Sequence, residues 1–262
     1  MKVGFIGAGN MATGLARGWA RASGEPGAPD AMVFADASAE RAQELASEVG
    51  GEALDSNRAV AGAADLVLLA VKPNVLDDVA ADLVEARTPV LSILAGTSVE
   101  RLQEALPGIE LVRVMPNLGA QLRQGVFCVA FPEELEQERR DQATALLGLL
   151  GDVIELDEGL IDAATALMGC SPGYLALMAE VLVEEGVKTG LTEDQALRMV
   201  ARSMAATGGL LDLHQPAALK QAVASPGGMT EAGLDALTER KVDEALRAAV
   251  DASLERARGL SG

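Results

Sequence analysis

Over the first 156 residues, short apolar runs alternate with longer stretches of helical period, and this alternation narrows the fold more than any other feature of the chain. The runs are KVGFIG, AMVFAD, DLVLLAVK, TPVLSIL, ELVRVMP, GVFCVA and DVIEL, each rich in Val, Ile or Leu and bounded by Gly, Pro or Asp, as strands are. Between several of them lie amphipathic stretches. SAERAQELASEVG and SVERLQEALPG both open on a serine suited to capping a helix and close on or near glycine. Strand and helix in alternation imply a mainly parallel sheet covered by helices on both faces, so the expected class is α/β, doubly wound.

After about Asp157 the texture changes. From Gly159 onward no strand pattern recurs, and Ala- and Leu-rich helical runs follow one another to the end. The chain therefore reads as two domains, 1–158 and 159–262, the second all-α. Several of its helices are apolar over more than one face, as at Leu175, Leu177, Met178, Val181, Leu182 and Val183. A helix apolar most of the way round must be covered on most sides, and a second subunit is the natural cover.

Composition excludes several functions. Against 21 Lys and Arg stand 39 Asp and Glu, a net charge of −18 spread along the chain. Such a surface repels phosphate backbones and anionic lipid, so neither nucleic acid nor membrane is expected as a partner. Two cysteines, Cys128 and Cys170, and one histidine, His214, offer too few ligands for a metal site, and none is expected. The apolar run at the N-terminus breaks at glycine, unlike a signal peptide, and stretches such as LVLLAV are too short to span a bilayer. A cytoplasmic protein is expected.

The first strand ends in GFIGAGNMATGLARGW, which sets Gly7, Gly9 and Ala12 in a G-x-G-x-x-A pattern between a strand and a helix. In that context Gly7 makes the tight turn, Gly9 admits a pyrophosphate and Ala12 lets the helix pack, so a dinucleotide is the expected cofactor. Asp36, ending the second strand, is placed to accept from a ribose 2′-hydroxyl and to repel a 2′-phosphate, which favours NADH slightly over NADPH. Two other readings stay open: Asp36 as a cap of the following helix, and Ser38 with Arg41 as receivers of a 2′-phosphate. Lys72, at the abrupt strand end LLAVKP, reads equally as a cofactor contact or a solvated lysine.

Near the far end, ASPGGMTEAGL places a Ser-Pro-Gly-Gly turn just before a helix. Its glycines either make a tight turn that needs positive φ, or bare a row of peptide N–H groups at a helix start where a small anion binds.

Taken in order over the whole chain, GFIGAGNM, AVKP, MPN, SPGY and SPGG-x-T resemble the pyrroline-5-carboxylate reductase family. The resemblance implies an N-terminal Rossmann domain and a helical domain that interlocks with its twin into a homodimer, which often assembles further. It implies NAD(P)H-dependent reduction of 1-pyrroline-5-carboxylate, a small anionic cyclic imine, to L-proline. It assigns the cofactor to Ile6, Gly7, Ala8, Gly9, Asn10, Met11, Asn57, Ala70, Val71, Lys72, Pro73, Ala95 and Gly96. The substrate falls to Ser225, Gly227, Gly228, Met229 and Thr230, with Thr230 as the catalytic hydroxyl; otherwise Thr230 is a plain helix cap. VKTGLTEDQALRMV resembles the dimerisation region.

The chain departs from the family pattern at three places. It has Met115-Pro116-Asn117-Leu118-Gly119 where M-P-N-T-P is usual, and MGCSPGY with Met168 and Cys170 replacing hydroxyls. In DLHQPAALK, Leu213 and His214 stand where the family tends to carry an acidic residue shortly before its H-P pair. These changes make the pocket less polar and bear on the substrate. Two alternatives follow: reduction of a different cyclic imine, or a non-catalytic nucleotide-binding relative. A hydroxy-acid dehydrogenase would want a lysine one turn after GCSPGY, where Leu175, Ala176 and Leu177 stand.

Overall fold

The computed structural model describes residues 1–259. Eight strands form one sheet: β1 (Lys2–Ile6), β2 (Ala31–Ala35), β3 (Glu52–Ala53), β4 (Leu66–Leu69), β5 (Val90–Ser92), β6 (Leu111–Pro116), β7 (Gly125–Ala130) and β8 (Gly151–Glu155). Helices α1 (Asn10–Arg21), α2 (Ala39–Val49), α3 (Asn57–Ala63), α4 (Leu76–Ala86), α5 (Val99–Ala105) and α6 (Gln137–Gly148) connect them, and α7 (Ile161–Ala164) follows. Strand order is β3-β2-β1-β4-β5-β6-β7-β8. This is the doubly wound α/β class the alternation demands.

The one reversal has a local cause. β6 and β7 are joined only by a short 3₁₀ turn, Leu118–Leu122, which cannot carry the chain back across the sheet, so β7 returns antiparallel. Helix α6 does provide a crossover, and β8 pairs parallel with β7. β3 is missing from the sequence reading because its two residues carry no apolar run.

Burial alternates along the strands. Val3, Phe5, Met32 and Phe34 pack into one core layer, whereas Ile6, Val33 and Ala35 pack into the other, as period-2 side chains on a sheet covered twice must. In the first layer Trp19 of α1 meets Phe5 edge to face at 5.8 Å and donates its indole N–H to the Leu146 carbonyl at 3.0 Å. The serines act as read: Ser38 accepts from the Arg41 N–H and Ser98 from the Arg101 N–H.

The chain divides into two compact units, Met1–Gly169 joined by the described residues from Leu254 on, and Cys170–Ser253. The first continues past residue 158 because the sheet holds the following segment. Ile161 and Met168 pack with Met115 and Cys128. Buried Arg113 of β6 pairs with Glu158 at 2.9 Å and Asp162 at 3.4 Å. This unit ends in a π-helical turn, Thr165–Gly169.

In the second unit run α8 (Ser171–Lys188), α9 (Glu193–Leu211), α10 (Pro216–Val223), α11 (Met229–Glu239) and most of α12 (Val242–Arg258), and no strand occurs from Gly159 on among the described residues. Thr192 and Gln195 form a reciprocal capping box at the start of α9. The Tyr174 hydroxyl lies 2.6 Å from Ser253 Oγ and bonds the Ala249 carbonyl, tying α8 to α12 as a packing residue would. No residue of α8 is buried in the single chain, and Leu177 is 61 % exposed. The helical run Glu158–Lys188 is long and apolar enough to cross a bilayer by length and composition, which no short strand-like stretch would lead one to expect. The expected second domain ends at residue 262, and 260–262 lie outside the described residues.

Candidate active site

The glycine-rich turn is built by β1 and braced by β2. Gly7 takes φ +100°, and a Cβ there would fall 2.6 Å from the Ala70 carbonyl oxygen, so only glycine fits. Its N–H donates to the Ala35 carbonyl at 2.8 Å. The next N–H, of Ala8, donates to Asp36 Oδ2 at 2.7 Å, while Asp36 Oδ1 accepts from Ser38 at 2.9 Å. Asp36 therefore is not the cap of α2, a place Ser38 holds. It ties the turn to the end of β2.

Gly9 is the N-cap of α1, with no side chain capping it and no acidic residue in the first turn. A Cβ at Gly9 would meet nothing within 4 Å. The first amides of a helix have no partner within it, and here they lie at the positive end of the helix beside open space. That arrangement fits a pyrophosphate. Ala12 is buried, as its packing role requires.

Beside this turn opens a cleft of about 730 Å³. Gly7, Gly9, Asp36, Asn57 and Ala70 to Lys72 form part of its wall. β1, β4 and β5 are parallel neighbours, so the turns after them share one edge of the sheet. The remaining expected residues are not part of that wall. Ile6 ends β1 and is buried, Ala8 is buried in the turn, Asn10 and Met11 open α1, and Pro73 begins a 3₁₀ turn. Ala95 and Gly96 form the turn after β5, with Gly96 at φ +67°. Lys72 is exposed and makes no ion pair among the described residues.

Sequence reasoning missed Asp55, Asp78 and Asp82, which join Asp36 and Arg41 in the same wall. Asp82 accepts from the Asn57 amide at 3.4 Å, and Arg41 Nη1 stands 3.9 Å from Asp36 Oδ1. The four-residue spacing of Asp78 and Asp82 on α4 puts both on one helix face, but nothing local says which face meets the cleft. Asn117 of MPN was also given no role. Its Oδ1 accepts from Gly119 and Val126, and its Nδ2 donates to the Met168 carbonyl, clamping the turn after β6 to the π-helical turn.

In the second unit, Ser225 to Gly228 lie between α10 and α11, and Met229 and Thr230 open α11. Gly227 takes φ +71°, and a Cβ at Gly228 would fall 2.9 Å from the Ser225 carbonyl oxygen, which accepts the Gly228 N–H at 2.9 Å. Both glycines are thus required by the turn itself. Gly228, not Thr230, is the N-cap of α11, and it has no side-chain cap. Thr230 is exposed, and its hydroxyl makes no hydrogen bond within the described residues. Met229 is 95 % exposed. The Gly227 N–H donates to a carboxylate, that of Glu231, at 2.6 Å.

Fold and glycine-rich turn together define the class, an NAD(P)-dependent oxidoreductase with a helical second unit. Residues 158–260 match the family model for pyrroline-5-carboxylate reductase dimerisation, and residues 2–96 match that for NADP oxidoreductase, coenzyme F420-dependent. The chain is 38% identical over 262 residues to pyrroline-5-carboxylate reductase of Thermus thermophilus, covering 98% of this chain and 97% of that one. Among solved structures, that of Plasmodium falciparum pyrroline carboxylate reductase with NADP bound aligns at TM-score 0.88 and 25% identity, covering 100% of this chain and 98% of that one. The Streptococcus pyogenes 1-pyrroline-5-carboxylate reductase aligns at TM-score 0.88 and 30% identity, covering 99% and 98%. The chain belongs to the pyrroline-5-carboxylate reductase family.

Proposed function

We propose that this chain is a cytoplasmic homodimer that reduces 1-pyrroline-5-carboxylate to L-proline with NAD(P)H. The observation that carries the reading is that family membership spans the whole chain, so that one reaction accounts for both the glycine-lined cleft and the Ser225–Thr230 turn. Residues 1–158 serve the dinucleotide, and 159–262 serve the substrate and the dimer. The exposed apolar surface of α8 is what a second subunit covers.

Gly7 to Met11 receive the pyrophosphate, and Asn57, Ala70 to Pro73 and Ala95 to Gly96 hold the rest of the dinucleotide. A reduced nicotinamide held there would supply the hydride for the C=N carbon. A protonated imine is already electrophilic, so the protein's task is to orient the ring and manage its proton. The amides of Ser225, Gly227 and Met229, near the positive end of α11, receive the carboxylate in charge-assisted hydrogen bonds, while Gly228, whose own N–H bonds the Ser225 carbonyl, shapes the turn. The Thr230 hydroxyl, which has no hydrogen-bond partner among the described residues, accepts from the iminium N–H and donates to the amine that forms.

NADH is the preferred donor. The cleft wall carries Asp36, Asp55, Asp78 and Asp82 against Arg41 and Lys72, a balance that disfavours the additional charge of a 2′-phosphate. Each Asp36 oxygen accepts one backbone N–H and keeps a lone pair for a ribose hydroxyl. Arg41 is the residue that allows NADPH some use of the same cleft.

The test follows nicotinamide absorbance with purified protein, NADH or NADPH, and a panel of cyclic imines varied in ring size and carboxylate. Turnover of 1-pyrroline-5-carboxylate above the others is expected. Preference for another imine would move the substrate, a reading favoured by Met168 and Cys170 in place of hydroxyls. Cofactor binding with no turnover of any imine would make the chain a non-catalytic relative.

A further inference from the structure

The signature turn already holds a carboxylate, its own. Gly227 N–H donates to Glu231 Oε2 at 2.6 Å, and both residues are exposed. We propose that Glu231 is a resident competitor for the carboxylate seat, excluding simple anions and yielding to a ligand that also engages Thr230. The proposal rests on the functional reading above and specifies how that site selects its ligand.

The geometry departs from ordinary capping in a way that bears on the ligand. With Gly228 as N-cap, Glu231 is the third helical residue, whose carboxylate in a capping box turns back to the N-cap N–H. Here the Gly228 N–H is taken by the Ser225 carbonyl at 2.9 Å. The Glu231 carboxylate therefore reaches one residue further, to Gly227, within the segment assigned to the substrate.

Its exchange by a ligand follows from elementary energetics. An exposed charged hydrogen bond contributes little net stability, so it opens readily. A tethered carboxylate nevertheless has a high effective concentration at its own seat, so a free anion that offers one equivalent contact competes poorly. A cyclic imino acid offers two, a carboxylate for the amides and a ring nitrogen for the unpartnered Thr230 hydroxyl. Discrimination thus comes from a repulsive element built into the site as well as from the attraction it opposes.

The experiment compares the full-length wild-type protein with Glu231→Ala and Glu231→Gln. In Glu231→Ala, KM for 1-pyrroline-5-carboxylate is expected to fall about three- to tenfold, the size of one exposed charge-assisted contact, with kcat held within about twofold. Inhibition by sodium acetate and chloride should strengthen by a similar factor, and Glu231→Gln, which keeps an acceptor without the charge, should lie between. A residue that merely caps the helix would instead lower Tm and leave anion inhibition as it was. Unchanged anion inhibition, or a KM that stays or rises in both variants, overturns the proposal while leaving the reductase reading intact. If the wild type turns over no pyrroline carboxylate, the reductase reading fails and calorimetric titration of acetate and L-proline into the same proteins decides the competitor. Tighter acetate binding without the Glu231 carboxylate supports it, and equal or absent binding in all three overturns it. Glu231→Gln carries the test should Glu231→Ala fail to fold.

Discussion

The carboxylate of Asp36 accepts the backbone N–H of Ala8 at 2.7 Å, joining the end of β2 to the glycine-rich turn that leaves β1. The same side chain, 11 % exposed, accepts from Ser38 through its other oxygen. A residue expected to read the ribose therefore also sets the shape of the turn. Asp36→Ala strands two amides and should cost about 1–3 kcal/mol in chemical denaturation. It should raise KM for NADH, and less for NADPH, because loss of the carboxylate also lifts its repulsion of the 2′-phosphate. A rise confined to NADH, with stability unchanged, would show that the ribose contact alone matters.

Gly7 and Gly9 stand two residues apart, yet their substitutions should fail differently. At Gly7 an added Cβ meets the Ala70 carbonyl oxygen at 2.6 Å in a left-handed backbone, so Gly7→Ala should lower Tm markedly. At Gly9 the Cβ points into open space, so Gly9→Val should fold with nearly native Tm and lose cofactor affinity. Thermal unfolding of both proteins, with and without NADH, separates the two effects.

Arg41 is exposed and lies at the edge of an acidic wall. Arg41→Ala should lower kcat/KM with NADPH by about tenfold, the loss of one charged contact, and change it little with NADH. Equal losses with both donors would place Arg41 outside 2′-phosphate recognition.

Thr230 presents a hydroxyl with no hydrogen-bond partner among the described residues at the second position of α11. Thr230→Ala should cut kcat about ten- to a hundredfold, the range for one hydrogen bond to a charged group, while cofactor KM holds. Because Gly228 and not Thr230 caps the helix, Tm should move little. A normal kcat in the variant would remove the residue from the chemistry.

Cys128, buried in β7, has its thiol pushed up by burial. It should therefore resist a thiol reagent at about pH 8 in the folded protein and react once denaturant is added, as peptide mapping would show. The sign for stability follows: the folded state holds the neutral thiol and the unfolded state ionises first. This contribution is full below the free-thiol range and declines as pH rises through and beyond it.

Much of this architecture depends on interactions within a few residues, and such interactions are written in the sequence. Alternation in KVGFIG and AMVFAD fixes which side chains enter each core layer, because successive strand residues face opposite ways. Ser38 and Ser98 cap their helices through bonds to residues three positions on, and Gly7 is required by the backbone angle of its own turn. The family signature adds the Ser225–Thr230 segment by resemblance, and of the two readings left open for Thr230 the plain helix cap does not hold, because Gly228 occupies that place.

What tertiary structure decided were the meetings of residues distant in the chain. Asp55, Asp78 and Asp82 share a wall with Asp36 only because the strand order places β3, β2, β1 and β4 side by side. Arg113 sits among apolar strand residues, and only the folded chain brings Glu158 and Asp162 to its guanidinium. Asp36 found Ala8 for the same reason. Periodicity and capping are decided by near neighbours, whereas partners across a sheet depend on which elements pack together, and a linear pattern of residue types does not carry that choice.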